Sequence, residues 1–357
     1  MKGDESVSLR PTSSTRNGWA IPFADQNGYV GGGIRLEGIS AFEKLHLSPE
    51  SACSVADEAI GYTRSSSTRV SCIGDSLSAG YYPNTTVNWT ESAYPYILSK
   101  LAPAGVEVFN LAISGYTVDE AAVRIGAFPL PLVVMGGSLP ATGPISVSTT
   151  AAIGWRPTGT ERNMKGTLAG VPGTLIRTTS NTTFTFTRTA PGIATPVPPG
   201  TLFKPESAGH EADTVVIMLG RNNIPGIAGG DNRAEDNVVN GIKRIVDWLS
   251  PQLKQALILS TTTNTLEKRG TSGYLSILEI NARLQQMYPN KFLDIRSYLV
   301  HQAIYDLGVT PTSDDLANME CDALPPSIML DTTHYKPETA ALVARQVHAY
   351  LTMRGWI

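Results

Sequence analysis

Three cysteines, Cys53, Cys72 and Cys321, are too few and too scattered in a chain of 357 residues to form a disulfide framework or a zinc cluster. Charge is scarce as well. Only 17% of residues are charged, and the formal net charge of -3 provides no electrostatic basis for binding nucleic acid. No apolar run reaches the roughly 18 residues that a membrane-spanning helix requires, so no membrane span is expected. The opening Met1-Lys2-Gly3-Asp4-Glu5 lacks the apolar core of a secretory signal, and export by that route is not expected. What remains is a globular chain, 41% hydrophobic, long enough for one large domain or two modest ones.

From about residue 69 onward, short β-rich runs alternate with longer helical patterns. Strands are predicted at 70–73, 106–111, 214–219, 256–260 and 292–295, and helices near 91–102, 234–250, 273–288 and 337–353. Between 234 and 250, Val238, Val239, Ile242, Ile245, Val246 and Leu249 recur at helical spacing and make one apolar face. This alternation predicts an α/β fold, a five-stranded parallel sheet with helices on both sides, whose active site lies at the carboxyl ends of the strands. The interval 126–205 breaks the rhythm. It is rich in Gly, Pro and Thr, and runs such as Ile145-Ser146-Val147-Ser148 and Thr183-Phe184-Thr185-Phe186-Thr187 have the period-two alternation of short antiparallel strands. The domain plan is therefore a segment of unassigned role at 1–66, an α/β domain from 67–125 and 206–357, and an inserted β-rich domain at 126–205.

Gly74-Asp75-Ser76 follows the first predicted strand directly, which puts a serine hydroxyl where a buried strand turns into a helix. A serine needs a base, a carboxylate to orient that base, and donors for an oxyanion. Of the five histidines, His334 in Leu330-Asp331-Thr332-Thr333-His334-Tyr335 has a carboxylate three residues upstream and a helix just after it. His46, His210, His301 and His348 lack that setting and read as structural. Oxyanion donors are expected from loops after the second and third strands. The first is Asn110-Leu111-Ala112-Ile113-Ser114-Gly115, where glycine permits a close backbone approach; the second is Gly220-Arg221-Asn222-Asn223, where an amide follows a tight turn.

These blocks, Gly74-Asp75-Ser76, Gly115, Gly220-Arg221-Asn222-Asn223 and Asp331-Thr332-Thr333-His334, resemble in type and order the SGNH, or GDSL-type, esterase superfamily. The resemblance covers about 67–125 and 206–357. It implies a flavodoxin-like parallel sheet, a nucleophilic Ser76, His334 as base, Asp331 as its orienting carboxylate, and an oxyanion hole made by Ser76, Gly115 and Asn222. It implies no cofactor and no metal. The third block departs from the family pattern Gly-x-Asn-Asp, since Asn223 stands in place of the acid, which puts substrate positioning in doubt. The motif is not the Gly-x-Ser-x-Gly elbow of the α/β-hydrolases, because position 78 is serine.

Tyr81, Tyr82 and Trp89 follow the candidate nucleophile and, with Asn223, are candidate substrate contacts; amphipathic rings can stack on sugar faces. The Thr-rich insertion, with Trp155 near its start, is similar to accessory carbohydrate-binding modules. The expected activity is thus removal of O-acetyl or other short acyl groups from a polysaccharide or glycan. Domains of this superfamily with such additions also occur in bacteriophage tail spikes, so the implied setting is extracellular or virion-associated, with a homotrimer expected of a tail protein. Two rivals are a lipase or thioesterase of the same superfamily and a non-catalytic glycan-binding or structural tail module.

Overall fold

The computed structural model describes residues 21–24, 30–34, 63–80, 90–153, 162–177, 182–224 and 234–357. The chain divides into two compact units. In the smaller, β1 (Ile21–Ala24) and β2 (Val30–Ile34) pair antiparallel, Ile21 opposite Ile34. The larger unit, Ser65–Ser250 with Lys254–Thr352 and Trp356–Ile357, holds every candidate site residue that the structure describes.

Its centre is a sheet of β3 (Ser66–Gly74), β4 (Glu107–Asn110), β13 (Asp213–Met218), β14 (Ala256–Leu259) and β15 (Phe292–Leu293). The order across the sheet is β15-β14-β13-β3-β4, and every pairing is parallel. Counted along the chain this is 2-1-3-4-5, the flavodoxin-like order, whose reversal point lies between β3 and β13. The strands read as apolar runs because both faces are covered. Val70, Cys72, Val216, Met218, Leu257 and Leu259 face one layer of helices, which includes α2 (Tyr94–Leu101), α6 (Ile295–His301), α7 (Ala303–Asp306) and α9 (Pro337–Met353). Ile73, Val215, Ile217, Leu219, Ala256 and Ile258 face the other, made by α3 (Val118–Ile125), α4 (Ala234–Trp248) and α5 (Ser272–Met287). Cys72 is a core residue, and burial pushes its thiol up to about 12.

The predicted strands and long helices each correspond to an element within a few residues. The turn into a helix expected at Ser76 is α1 (Ser76–Ala79), whereas α3, α6, α7 and α8 (Ser313–Glu320) were not predicted. All have eight residues or fewer, so each carries too few periods of apolar spacing to stand out.

Between α3 and β13 the chain builds a second layer of structure. Strands β5 (Leu130–Val134), β7 (Pro144–Ser148), β8 (Arg162–Leu168), β9 (Val171–Arg177), β10 (Thr183–Arg188) and β12 (Thr201–Pro205) close into an antiparallel barrel in the order β10-β7-β5-β12-β8-β9. A separate two-stranded ribbon joins β6 (Ser138–Leu139) to β11 (Thr195–Pro196). Closure leaves no open sheet edge in the barrel. Its interior is filled by Leu132, Met164, Leu168, Leu175, Phe184, Phe186 and Phe203. Among the described residues, no helix is long and apolar enough to cross a membrane.

Candidate active site

The turn after β3 is built around a contact that excludes side chains. A Cβ on Gly74 would overlap Ser78 Oγ and lie 2.5 Å from Ser78 Cβ, so only glycine lets α1 fold back on the strand end. Asp75 then caps α1: its Oδ1 accepts from Leu77 N at 3.0 Å. Ser76 is the first residue of that turn, at the sheet's carboxyl edge, and is 8% exposed. Gly74→Ala is expected to destabilise the protein by about 1–3 kcal/mol and to displace Ser76, lowering any Ser76-dependent activity. Adding Ser78→Gly should restore part of both; denaturant midpoints and ester kinetics on the single and double variants check this.

His334 and Asp331 reach the same point from the turn before α9. His334 Nε2 lies 3.0 Å from Ser76 Oγ, and His334 Nδ1 lies 2.8 Å from Asp331 Oδ2. The other carboxylate oxygen accepts from the backbone N–H groups of Thr333 and His334, both at 2.7 Å, so the carboxylate also shapes the turn that carries the imidazole. Leu330 N donates to His334 O at 2.8 Å and closes that turn. Burial acts to raise the Asp331 carboxyl, but the His334 backbone N–H, the His334 ring and the Thr333 N–H outweigh it and hold the group below the usual carboxylate range. An ionised Asp331 accepts a hydrogen bond from Nδ1–H, which leaves Nε2 with a lone pair facing the serine hydroxyl.

Two further loops meet at the reversal point of the sheet. Gly115, after β4, has φ +78, a left-handed conformation that side chains rarely adopt, and it turns the loop toward Ser76's end of the sheet. Asn222 sits in the turn after β13 and is 7% exposed; its Nδ2 donates to Tyr116 O at 3.0 Å, which ties it to the residue after Gly115. Gly220, at φ +111, makes the sharp exit from β13 that brings Asn222 round. Thus Ser76, Asp331 and His334 are linked directly by hydrogen bonds, and the Asn222 and Gly115 loops are joined at the same strand ends.

Asn223, a substrate-contact candidate in the sequence, has its Oδ1 accepting from Val118 N at 3.1 Å, and the residue is 6% exposed. A buried first-turn amide of α3 needs an acceptor, and Asn223 supplies it, so the position braces the scaffold. Tyr81, Tyr82, Trp89 and Trp155 lie outside the described residues.

Several residues that support the site were not singled out from sequence. Asn110 Nδ2 donates to Ser78 O at 3.0 Å while its Oδ1 accepts from Ala112 N at 3.1 Å, locking the β4 loop to α1. Arg221, 2% exposed, pairs with Glu267 through both terminal guanidinium nitrogens and donates to Thr262 O at 2.8 Å, fixing the Asn222 turn from behind. Asp315 accepts from Ser327 N at 2.8 Å and from Ser327 Oγ at 2.7 Å, anchoring the segment that leads to Asp331. Apart from the local Asn110–Ala112 turn, these bonds join residues that no local motif connects; the Thr312-x-x-Asp315 capping box is a local signal for the start of α8.

A second Ser, His and Asp group is arranged differently. Ser71 Oγ lies 2.9 Å from His210 Nδ1 and 2.7 Å from Asp213 Oδ2, and His210 Nδ1 lies 2.7 Å from the same carboxylate oxygen. Ser71 Oγ and Asp213 Oδ2 both meet the same ring nitrogen, so no proton can pass through the ring between them, and Ser71 is fully buried. Burial acts to raise the Asp213 carboxyl, but hydrogen bonds from His210, Arg69 and Ser71 lower it on balance, as expected of a structural anchor. His301 pairs with Asp322 at 3.2 Å, and His46 lies outside the described residues. Among the described residues no group of three or more His, Cys, Asp or Glu side chains could hold a metal ion.

No protein-family model and no curated protein matches this sequence. Among solved structures, the chain is similar to a catalytic mutant of an acetylxylan esterase from Geobacillus stearothermophilus, at 13% identity and a TM-score of 0.43 over 82% of this chain and 97% of that one. It is similar to a carbohydrate acetylesterase family member from Sinorhizobium meliloti, at 15% identity and a TM-score of 0.39 over 80% and 98% of the two chains. A lipase/acylhydrolase from Enterococcus faecalis matches at 11% identity and a TM-score of 0.41 over 80% and 96%.

Proposed function

We propose that this chain is a serine esterase of the SGNH, GDSL-type superfamily that removes O-acetyl or other short acyl groups from a polysaccharide or glycan. The observation that carries the reading is His334, whose two ring nitrogens lie 3.0 Å from Ser76 Oγ and 2.8 Å from Asp331 Oδ2. One nitrogen is held by a carboxylate and the other faces a hydroxyl, which is the arrangement general-base activation of a serine requires.

In the proposed reaction His334 Nε2 takes the Ser76 hydroxyl proton as Oγ attacks the ester carbonyl carbon. The carbonyl oxygen becomes an oxyanion, and the N–H groups of Ser76 and Gly115 and the Asn222 amide are the donors assigned to it. Collapse breaks the ester C–O bond, and the departing sugar oxygen receives the proton from Nε2. Water then loses a proton to His334 and attacks the acyl-serine, releasing the carboxylic acid and returning the proton to Ser76 Oγ. Asp331 stays ionised throughout and stabilises the imidazolium.

Acetate release from acetylated xylan, compared with hydrolysis of p-nitrophenyl palmitate, tests the reading. Faster turnover of the acetyl ester is expected. A preference for the palmitate would replace it with a lipase, and no hydrolysis of any ester would leave a binding module.

A further inference from the structure

On the outer wall of the barrel lies a cavity of about 820 Å³, distinct from the site at Ser76. Its floor follows from a pair of glycines. Gly166 of β8 and Gly173 of β9 face each other in register. A Cβ on Gly166 would overlap Lys204 O and lie 2.6 Å from Phe203 Cζ, and one on Gly173 would overlap the Phe186 ring. Both glycines line the hollow, and neither position has room for a side chain against the aromatic interior.

The residues around the hollow come from the outward positions of neighbouring strands. One row crosses from Thr187 through Thr174 to Lys165, and a second joins Thr167 to Lys204. Both lysines are exposed, and neither ammonium group has a hydrogen-bond or ion-pair partner among the described residues. The hydroxyls of Thr167, Thr174 and Thr187 likewise engage no other described residue. Arg188 adds a third positive charge, although its Nη1 is committed to the carbonyls of Pro140 and Ile193 at 2.9 Å each. Against these three cations the hollow has one carboxylate, Glu206, which can accept from sugar hydroxyls. The chain as a whole is acidic, at -3, so this cationic hollow runs against the general balance.

We infer that this hollow is a non-catalytic binding site for a carboxylate-bearing segment of a polysaccharide, held by Lys165 and Lys204 with the threonine hydroxyls as hydrogen-bonding partners. The size falls within the range of pockets that enclose a small ligand. Lysines and hydroxyls without partners among the described residues match the alternation of carboxylates and hydroxyls along an acidic glycan, and would leave a neutral chain without its ionic contacts. The position is informative too. Ala208 lines the hollow and lies in the segment before β13, whereas Ser76 lies at the carboxyl ends of the strands, the far end of β13, whose six residues span roughly 20 Å. A monosaccharide ester cannot touch both places, but a polymer can. The inference rests on the proposed glycan esterase only in naming the polymer as its substrate.

Native gel electrophoresis of the full chain through polygalacturonate, alginate or neutral xylan tests it. Both acidic polymers should retard the protein, and neutral xylan should not. Lys165→Ala with Lys204→Ala should weaken acidic-polymer binding roughly tenfold, in line with two exposed ion pairs. The double glutamate variant should abolish it, and the double arginine variant should retain it. Turnover of p-nitrophenyl acetate should be unchanged in all three. Failure of both acidic polymers to bind, or binding indifferent to the lysine substitutions, overturns the inference. Lysine-dependent binding in a protein that hydrolyses no ester would sustain the site and remove only the esterase reading.

Discussion

Ser76→Ala is expected to lower kcat on an acetyl ester by roughly 10⁴- to 10⁶-fold while leaving KM within a few-fold. The hydroxyl provides the bond-forming oxygen, and no other described hydroxyl lies in an equivalent place: Ser71, the serine of the second Ser, His and Asp group, is buried. The residual rate should stay above that of water, because the assigned oxyanion donors on the Gly115 and Asn222 loops survive the change. An alkylphosphonate ester probe provides an independent readout. It should add one covalent adduct at Ser76 of the wild type and none to the variant, as judged by intact mass. Wild-type rates in the alanine protein, or labelling at another residue, would remove Ser76 from the chemistry. His334 would then be a turn residue that happens to lie near a hydroxyl.

Asp331→Asn should cost nearly as much, roughly 10³- to 10⁴-fold in kcat, with the fold intact. The asparagine carbonyl oxygen can still accept from Thr333 N and His334 N, both held at 2.7 Å in the native turn. Its NH₂ group then faces His334 Nδ1 and favours the tautomer with the proton on Nε2, so the ring cannot take the serine proton. Asp331→Ala should lose the turn as well as the tautomer, and a larger drop in stability separates the two variants. The pH dependence has a definite sign. The Asp331 carboxyl is held below its ordinary value, burial being outweighed by the amide and imidazole hydrogen bonds, so the ionised group stabilises the folded state above the unfolded pKa of about 4. That contribution is lost as pH falls through the folded value. The stability gap between wild type and Asp331→Asn, read from urea midpoints, should therefore narrow on going from pH 7 to pH 3.

The legible parts of the fold were those with long patterns. The apolar stripe from Val238 to Leu249 announced α4, and Val215–Ile217 and Ala256–Leu259 announced strands covered on both faces. The helix α3 was missed because eight residues carry a short pattern, although the Thr117-x-x-Glu120 capping box stood in the sequence as its start signal. The alternation at Ile145–Ser148 and Thr183–Thr187 pointed to strands, and these two pair with each other, Phe184 opposite Val147. That six such strands would close into a barrel was not legible, because period-two alternation tells which face is buried and says nothing of the partner.

Chemistry divides along the same line. The sequence alone determined the candidate reacting groups: a serine at a strand end, a histidine with an aspartate three residues before it, and glycine and asparagine at two other strand ends. Those are local facts about residue type and spacing. Only the tertiary structure decided that His334 Nε2 lies 3.0 Å from Ser76 Oγ across 258 residues, that Asn223 serves α3, and that Ser71, His210 and Asp213 share one nitrogen and cannot relay a proton. The reason is physical. A side chain's character is set by its covalent structure, but its role depends on which atom faces it across the fold, and that is fixed by the packing of elements far apart in the chain.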